Sequence, residues 1–195
     1  MPRYYPVFLD LAGKPCVVVG GGAVAWRKAK ALVDCGAHVT VISPKTVPLL
    51  KHLAQQRRLR WVRRRFHLRD VQGAFVVVVA TDDQVVNHRV FCEARRWHRL
   101  VNVVDQPALC SFIVPSVVRR GALTIAISTS GVSPALSRWM RLDMTARYGP
   151  WVSRVLSRMR RWRRQVHRGQ ADPRMRKRRL EALLRHELTR AGIRS

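Results

Sequence analysis

Cys16-Val17-Val18-Val19 is apolar at every position and stops at Gly20-Gly21-Gly22. A run with no polar face predicts a strand buried on both sides, as in a parallel sheet. The next stretch, 23–35, places apolar residues at Val24, Ala25, Ala29, Leu32 and Val33 and predicts a helix, with Gly36 set to close its C-terminal end. Val39-Thr40-Val41-Ile42 predicts a second strand, completing a right-handed β-turn-α-β unit of about thirty residues. The alternation continues with a helix over 46–56, a short strand over 59–62, a buried strand over 75–79, a helix over 85–97 and a strand over 100–104 that runs up to Asp105. Such alternation predicts an α/β class with a Rossmann-like, doubly wound parallel sheet.

After Pro107 the pattern changes. Leu123-Thr124-Ile125-Ala126-Ile127 reads as a strand, followed by a hydroxyl-rich loop and then helical periodicity. From Trp151 onward Trp151, Val152, Val155, Leu156, Met159, Trp162 and Val166 form one apolar stripe. Leu180, Leu183, Leu184 and Leu188 form a second, past a break at Asp172-Pro173. Three regions are expected: a nucleotide-binding domain over 1–112, a small region over 113–148 and an Arg-rich helical segment over 149–195.

Charge adds a partner class. The 195 residues are 47% apolar, enough for a packed core, yet 38 Lys and Arg face 11 Asp and Glu, a net charge of +27. Arg outnumbers Lys by 32 to 6, and the last 45 residues hold fifteen of these cations against three carboxylates. A folded object so charged calls for an anion: nucleic acid, an acidic membrane surface or a polyanionic small molecule. The apolar run through Phe75 to Ala80 falls far short of the roughly 20 residues that span a bilayer. Met1-Pro2-Arg3-Tyr4-Tyr5-Pro6 has no apolar signal stretch, so a cytoplasmic location without a membrane partner is expected. Cys16, Cys35, Cys92 and Cys110 form no CxxC pair and read as small core residues in a reducing compartment. His88 and Cys92 have metal-ligand spacing but no third partner, and no metal site is expected.

Gly20-Gly21-Gly22-Ala23-Val24-Ala25 fits G-x-G-x-x-A between a strand and a helix. Gly20 allows the tight turn and Gly22 a close approach of backbone to a pyrophosphate, while the N–H groups opening the helix, from Ala23 and Val24 onward, hold the anion. The second strand ends in Ser43-Pro44-Lys45 rather than in the acid that usually binds ribose. Ser43 can still bond a ribose and Lys45 can accept a 2′-phosphate, so the motif alone leaves NAD and NADP open. Thr81 and Asp105 follow later strands and belong at the same carboxyl edge, where ligands bind, although position alone fits Asp105 equally well as a turn former or helix cap. Asp82 and Asp83 read as caps for the helix that follows. Ser128-Thr129-Ser130-Gly131-Val132-Ser133-Pro134 sets Ser133 at a helix N-cap and Pro134 at its first position. Capping alone and binding of a carboxylate or phosphate both fit this loop.

Taken together, Pro6-Val7-Phe8-Leu9-Asp10-Leu11, the stretch Val18 to Lys28, Ala80-Thr81-Asp82-Asp83, Asn102-Val103-Val104-Asp105, Ser111-Phe112-Ile113-Val114-Pro115-Ser116 and Ile127 to Pro134 resemble the bifunctional siroheme-synthase family. Its members are precorrin-2 dehydrogenases, some of which also insert ferrous iron into sirohydrochlorin. The likeness covers residues 4–142. It implies a Rossmann domain, a dimerisation region over 113–148, a homodimer, and NAD as oxidant bound by Gly20, Gly21, Gly22, Ala23, Val24, Ser43, Pro44 and Thr81. It also implies Asp105 as the essential carboxylate, with Asn102, Ser128, Thr129, Ser130 and Ser133 contacting precorrin-2, an octacarboxylate tetrapyrrole. The missing ribose acid is normal in this family. The Arg-rich run from Arg154 to Arg179 matches none of its motifs, and the methyltransferase domain of the fused enzymes is not found, so precorrin-2 is expected from another protein. Iron insertion stays open. Two rival classes are a non-catalytic NAD or tetrapyrrole sensor and a nucleic-acid-binding protein on a Rossmann scaffold. The apolar stripes already account for Trp151 and Trp162 as core, so nucleic acid is not the expected partner.

Overall fold

The computed structural model describes residues 3–169 and 172–192; the outer ends of the expected first and third regions, 1–2 and 193–195, lie outside it. The chain divides into two compact units, residues 3–113 and 114–195.

The first unit is built on five parallel strands, β1 (Pro15–Val19), β2 (His38–Ile42), β3 (Arg60–Val62), β4 (Val76–Val79) and β5 (Leu100–Val103), in the order β3-β2-β1-β4-β5. The direction of strand addition reverses between β1 and β4, which opens the crevice where such sheets take ligands. Side chains alternate across the sheet. Cys16, Val18, Val76 and Val78 join Ala25, Ala29, Leu50 and Leu53 from α1 (Ala23–Asp34) and α2 (Pro48–Gln55) on one face. Val17, Val19, Val77 and Val79 meet Val90 and Ala94 of α3 (Gln84–Arg96) on the other. Unbroken Val runs therefore mark strands covered on both sides, as expected from their pattern.

Local chemistry sets the helix ends. Gly36, at φ 79, follows the last turn of α1; its N–H reaches Val33 O and that of Ala37 reaches Leu32 O. This paired closure is open to glycine because the left-handed conformation costs it nothing. Asp83 caps α3 by accepting from the N–H groups of Val85 and Val86, both at 3.0 Å. The predicted 46–56 helix starts only at Pro48, because Val47 is its N-cap residue and the Val47 N–H is bound to Gly21 O at 2.9 Å.

The free edge of β5 is not left bare. After a turn, residues 110–112 fold back beside it and satisfy it largely with side chains. Ser111 Oγ accepts from Val101 N at 2.8 Å, and Ser111 N donates to Val101 O at 2.8 Å. Cys110 Sγ does the equivalent for Val103. An edge closed in this way is withheld from pairing with another chain.

The second unit opens with a hairpin of β6 (Ser116–Arg120) and β7 (Leu123–Ile127), turned at Gly121 with φ 57. Three helices follow, α4 (Pro134–Arg147), α5 (Pro150–Gly169) and α6 (Pro173–Arg190). The α5 stripe is turned inward as its spacing predicts, with Val152, Val155 and Val166 buried. The α6 stripe differs: Leu184 is 37% exposed while Glu187 is 3% exposed. Arg158 of α5 donates to the Glu187 carboxylate at 2.5 Å, so α6 rotates to bring that charge inside rather than the leucine. On the outer face of α5, Arg154, Arg161, Arg164 and Arg168 are all exposed, and the helix contains no Asp or Glu. No described helix is long and apolar enough to cross a membrane.

Candidate cofactor and substrate site

The register of the sheet assembles the site. Val62, Ile42, Val19, Val79 and Val103 lie in one row across the five strands. The ladder then extends by one rung: Ser43 N donates to Val62 O, Gly20 N to Ile42 O, Ala80 N to Val19 O and Val104 N to Val79 O, at 2.8–3.2 Å. Ser43, Gly20, Ala80 and Val104 are therefore fixed side by side at the carboxyl edge. Gly21, Thr81 and Asp105 come next beyond them. With β5 two strands from β1, about 10 Å separates the Asp105 turn from the glycine loop.

Each glycine has its own task. Gly20 has φ 122, and a Cβ there would stand 2.1 Å from Ala80 O. A Cβ on Gly21 would stand 2.0 Å from Lys45 O and 2.7 Å from Ser43 Oγ. Gly22 has nothing within 4 Å of such an atom and occupies the N-cap of α1 with no side-chain hydrogen bond to the helix. Two glycines thus close the loop and the third opens it. The first N–H groups of α1 face that open space, and the residues fit a dinucleotide diphosphate. Ala25, fully buried, keeps the helix against β1. Ser43 Oγ donates to Lys45 O at 2.6 Å, which leaves its lone pairs to accept from a ribose hydroxyl. Pro44 is exposed between them. Thr81 presents its methyl to Gly20, and its hydroxyl donates to Oδ1 of the buried Asn87 at 2.8 Å.

Asp105 is exposed and adopts φ 60, a left-handed conformation that Asp tolerates better than most residues. Asn102, buried on the α1 side of β5, donates to Phe112 O at 3.0 Å, so its amide is engaged inside the unit rather than at the surface. Lys28 of α1 is half-buried within electrostatic reach of Asp105 and Cys110. Burial pushes its ammonium below the usual lysine range, Arg27 pushes the same way, and the Asp105 carboxylate opposes them. Burial likewise pushes the Cys110 thiol up, against the Val103 N–H and the Lys28 charge.

Neither Lys28 nor Cys110 was distinguished by sequence pattern. Lys28 sits in a helix that reads simply as amphipathic, and Cys110 reads as a core residue. The core reading holds for Cys16, which is buried, but not for Cys92, which is exposed on α3 with Sγ 3.6 Å from His88 Nδ1. Among the described residues no three His, Cys, Asp or Glu side chains gather to hold a metal ion.

In the second unit the hydroxyl-rich loop is largely self-bonded. Thr129 Oγ1 accepts from Ser133 N at 3.2 Å and lies 3.0 Å from Oγ of the buried Ser137, and Ser128 Oγ accepts from Ser130 N at 3.0 Å. Ser133 Oγ caps α4 through Leu136 N at 3.2 Å, with Pro134 at the first helical position. Ser130, at φ 53, is exposed.

Residues 7–116 match the model of an NAD(P)-binding family, and residues 120–146 match that of the sirohaem biosynthesis protein central region. The chain belongs to the NAD(P)-binding family of sirohaem-biosynthesis proteins. Siroheme synthase 1 of Serratia proteamaculans is 39% identical over 163 residues, 84% of this chain and 34% of the relative. Siroheme synthase 1 of Cronobacter sakazakii is 47% identical over 139 residues, 71% of this chain and 30% of the relative. A solved structure described as SirC, precorrin-2 dehydrogenase, aligns with a TM-score of 0.80 at 28% identity, covering 96% of this chain and 98% of that one. The chain spans about a third of the length of the curated relatives it matches.

As a member of this family, the protein should separate helix stability from cofactor affinity at Gly22. Aspartate is a preferred N-cap, and the open space at Gly22 admits it. Gly22→Asp is therefore expected to keep its stability or gain about a few tenths of a kcal/mol. The same carboxylate would stand where the diphosphate approaches, weakening NAD about tenfold or more through like-charge repulsion. Thermal melts beside an NAD titration check both halves.

Proposed function

We propose that the protein oxidises precorrin-2 to sirohydrochlorin with NAD as oxidant, a step of siroheme biosynthesis. The observation that carries this reading is the likeness of nearly the whole chain to a solved precorrin-2 dehydrogenase. NAD, when bound, supplies the acceptor for the hydride that leaves the reduced macrocycle. The N–H groups at the start of α1 hold the diphosphate, and Ser43 accepts from the adenosine ribose. Asp105 takes the proton released as conjugation extends. Its exposure lets it reach a bound macrocycle.

Precorrin-2 is an octacarboxylate, and a chain of net charge +27 draws such an anion toward it. Ser128, Thr129, Ser130 and Ser133 are proposed to contact substrate carboxylates, the exposed Ser130 hydroxyl being the one with freedom to turn outward. The cytoplasm suits an enzyme whose Cys16, Cys92 and Cys110 are free thiols.

The region 113–148 is proposed to dimerise with a second copy. On α4, Leu136, Trp139 and Leu142 lie at three-residue spacing and are exposed, Trp139 by 63%. Val132 is exposed just before the helix. An aromatic centre flanked by aliphatic side chains is the composition of a buried interface core. Trp139→Glu is expected to weaken self-association about thirtyfold or more, read by sedimentation equilibrium.

Anaerobic mixing of precorrin-2, NAD and the protein tests the activity. Sirohydrochlorin absorption should rise in step with NADH, one for one; NAD binding without either change would leave a sensor instead. A parallel mixture with ferrous iron as substrate reads the further step, metal insertion, as siroheme.

A further inference from the structure

The turn that carries Asp105 is tied at both ends to one sulfur. Cys110 Sγ accepts from Val103 N at 3.3 Å and donates to Val103 O at 3.2 Å, on the strand side of the turn. The same thiol lies 3.3 Å from Gln106 O, on the far side. Asn102 Nδ2 approaches it at 3.5 Å. Between these anchors Asp105 holds φ 60, a conformation that costs a non-glycine residue free energy and persists only where neighbours impose it. The turn's other ties are Gln106 N to Val103 O at 3.3 Å, Leu109 N to Gln106 O at 3.0 Å, Val104 N to Val79 O at 2.9 Å, and the Gln106 side chain to that of Gln84.

We propose that Cys110 is a positioning residue for Asp105, its thiol clamping the 103–106 turn so that the carboxylate keeps one direction toward the substrate. The inference rests on Asp105 being the reactive carboxylate. It requires the sulfur as a donor as well as an acceptor, and burial keeps Cys110 in the thiol form that can be both. Loss of the S–H removes the sulfur link between the Val103 and Gln106 carbonyls, leaving them only the N–H groups of Gln106 and Leu109, and frees the turn to relax toward ordinary backbone conformations. Asp105 would then still be present, but populated in the productive geometry for a smaller share of the time.

The test compares Cys110→Ala, Cys110→Ser, Cys110→Val and Asp105→Asn for anaerobic precorrin-2 oxidation, NAD affinity and melting temperature. Cys110→Ala is expected to lower kcat about tenfold to a hundredfold, with NAD affinity unchanged. The acidic limb of its pH profile should stay in place, because the base is the same group. Cys110→Ser, which restores a donor and an acceptor, should recover most of the loss, whereas the similarly sized Cys110→Val should not. Undiminished kcat in Cys110→Ala overturns the proposal. So does a Cys110→Ser enzyme as slow as Cys110→Val, a comparison that holds even where Cys110→Ala folds poorly. If instead Asp105→Asn keeps full turnover, the catalytic reading of Asp105 itself fails, whatever the cysteine variants do.

Discussion

Asp105→Asn is expected to lower NAD-dependent precorrin-2 oxidation by about 10²–10⁴-fold while leaving the fold and the cofactor site intact. The substitution isolates chemistry because it changes little else. Asparagine matches aspartate in shape and tolerates φ 60 at least as well, so the turn keeps its conformation. The carboxylate is exposed, and no hydrogen bond within the unit depends on it among the described residues. What disappears is the capacity to accept a proton. Stopped-flow spectra under anaerobic conditions give the rate, and an NAD titration with a thermal melt gives the controls. Turnover within a few-fold of the unaltered protein would move the base elsewhere, with Lys28, within electrostatic reach of Asp105, the next group to examine.

Gly21→Ala should be still more disruptive, and for a reason of space rather than charge. The added methyl would lie 2.0 Å from the Lys45 carbonyl oxygen, a backbone atom that cannot swing aside. Either loop 43–46 moves or the glycine loop does, and movement breaks the Val47 N–H bond to Gly21 O that joins them. Overpacking of this kind costs about 1–3 kcal/mol or more, and it also displaces Ser43 from the position proposed to meet the ribose. NAD affinity is expected to fall about a hundredfold or more, with a lowered melting temperature. Gly73→Ala provides the contrast: nothing stands within 4 Å of its Cβ position, and both measurements should be unchanged. Equal behaviour of the two variants would contradict the close approach at Gly21.

The first unit was legible because its strands are apolar throughout and its turns use glycine where only glycine fits. Val76–Val79 could be nothing but a covered strand, and Gly20, Ser43, Ala80 and Val104 fell into one row once the parallel register was known. The hairpin strand β6 was not legible: Ser116–Arg120 buries only Val118 and ends in two arginines, so it carries no clean alternation. Glu187 could not be placed inside from its neighbours, since its partner Arg158 lies 29 residues away and it stands between His186 and Leu188. Cys110 illustrates the same limit at the site. Composition suggests a small apolar filler, and only folding back beside β5 turns its sulfur into a hydrogen-bonding group for Val103 and Gln106. Sequence pattern reveals periodic burial; it does not reveal bonds made between distant segments.

The arginine face of α5 has a consequence for what surrounds the protein. Arg154, Arg161, Arg164 and Arg168 extend about 21 Å along the helix at 1.5 Å per residue, with no acid on that helix to balance them. A row of fixed cations gathers small anions from the buffer, which stay near it as a loose ionic atmosphere. A polyanion that settles there sets those ions free, and their gain in translational entropy adds to the attraction. By the same argument as for phosphate chains, the attraction then fades with the logarithm of salt concentration. The stripe thus makes the protein's affinity for any polyanion a property of its solution as much as of its own atoms.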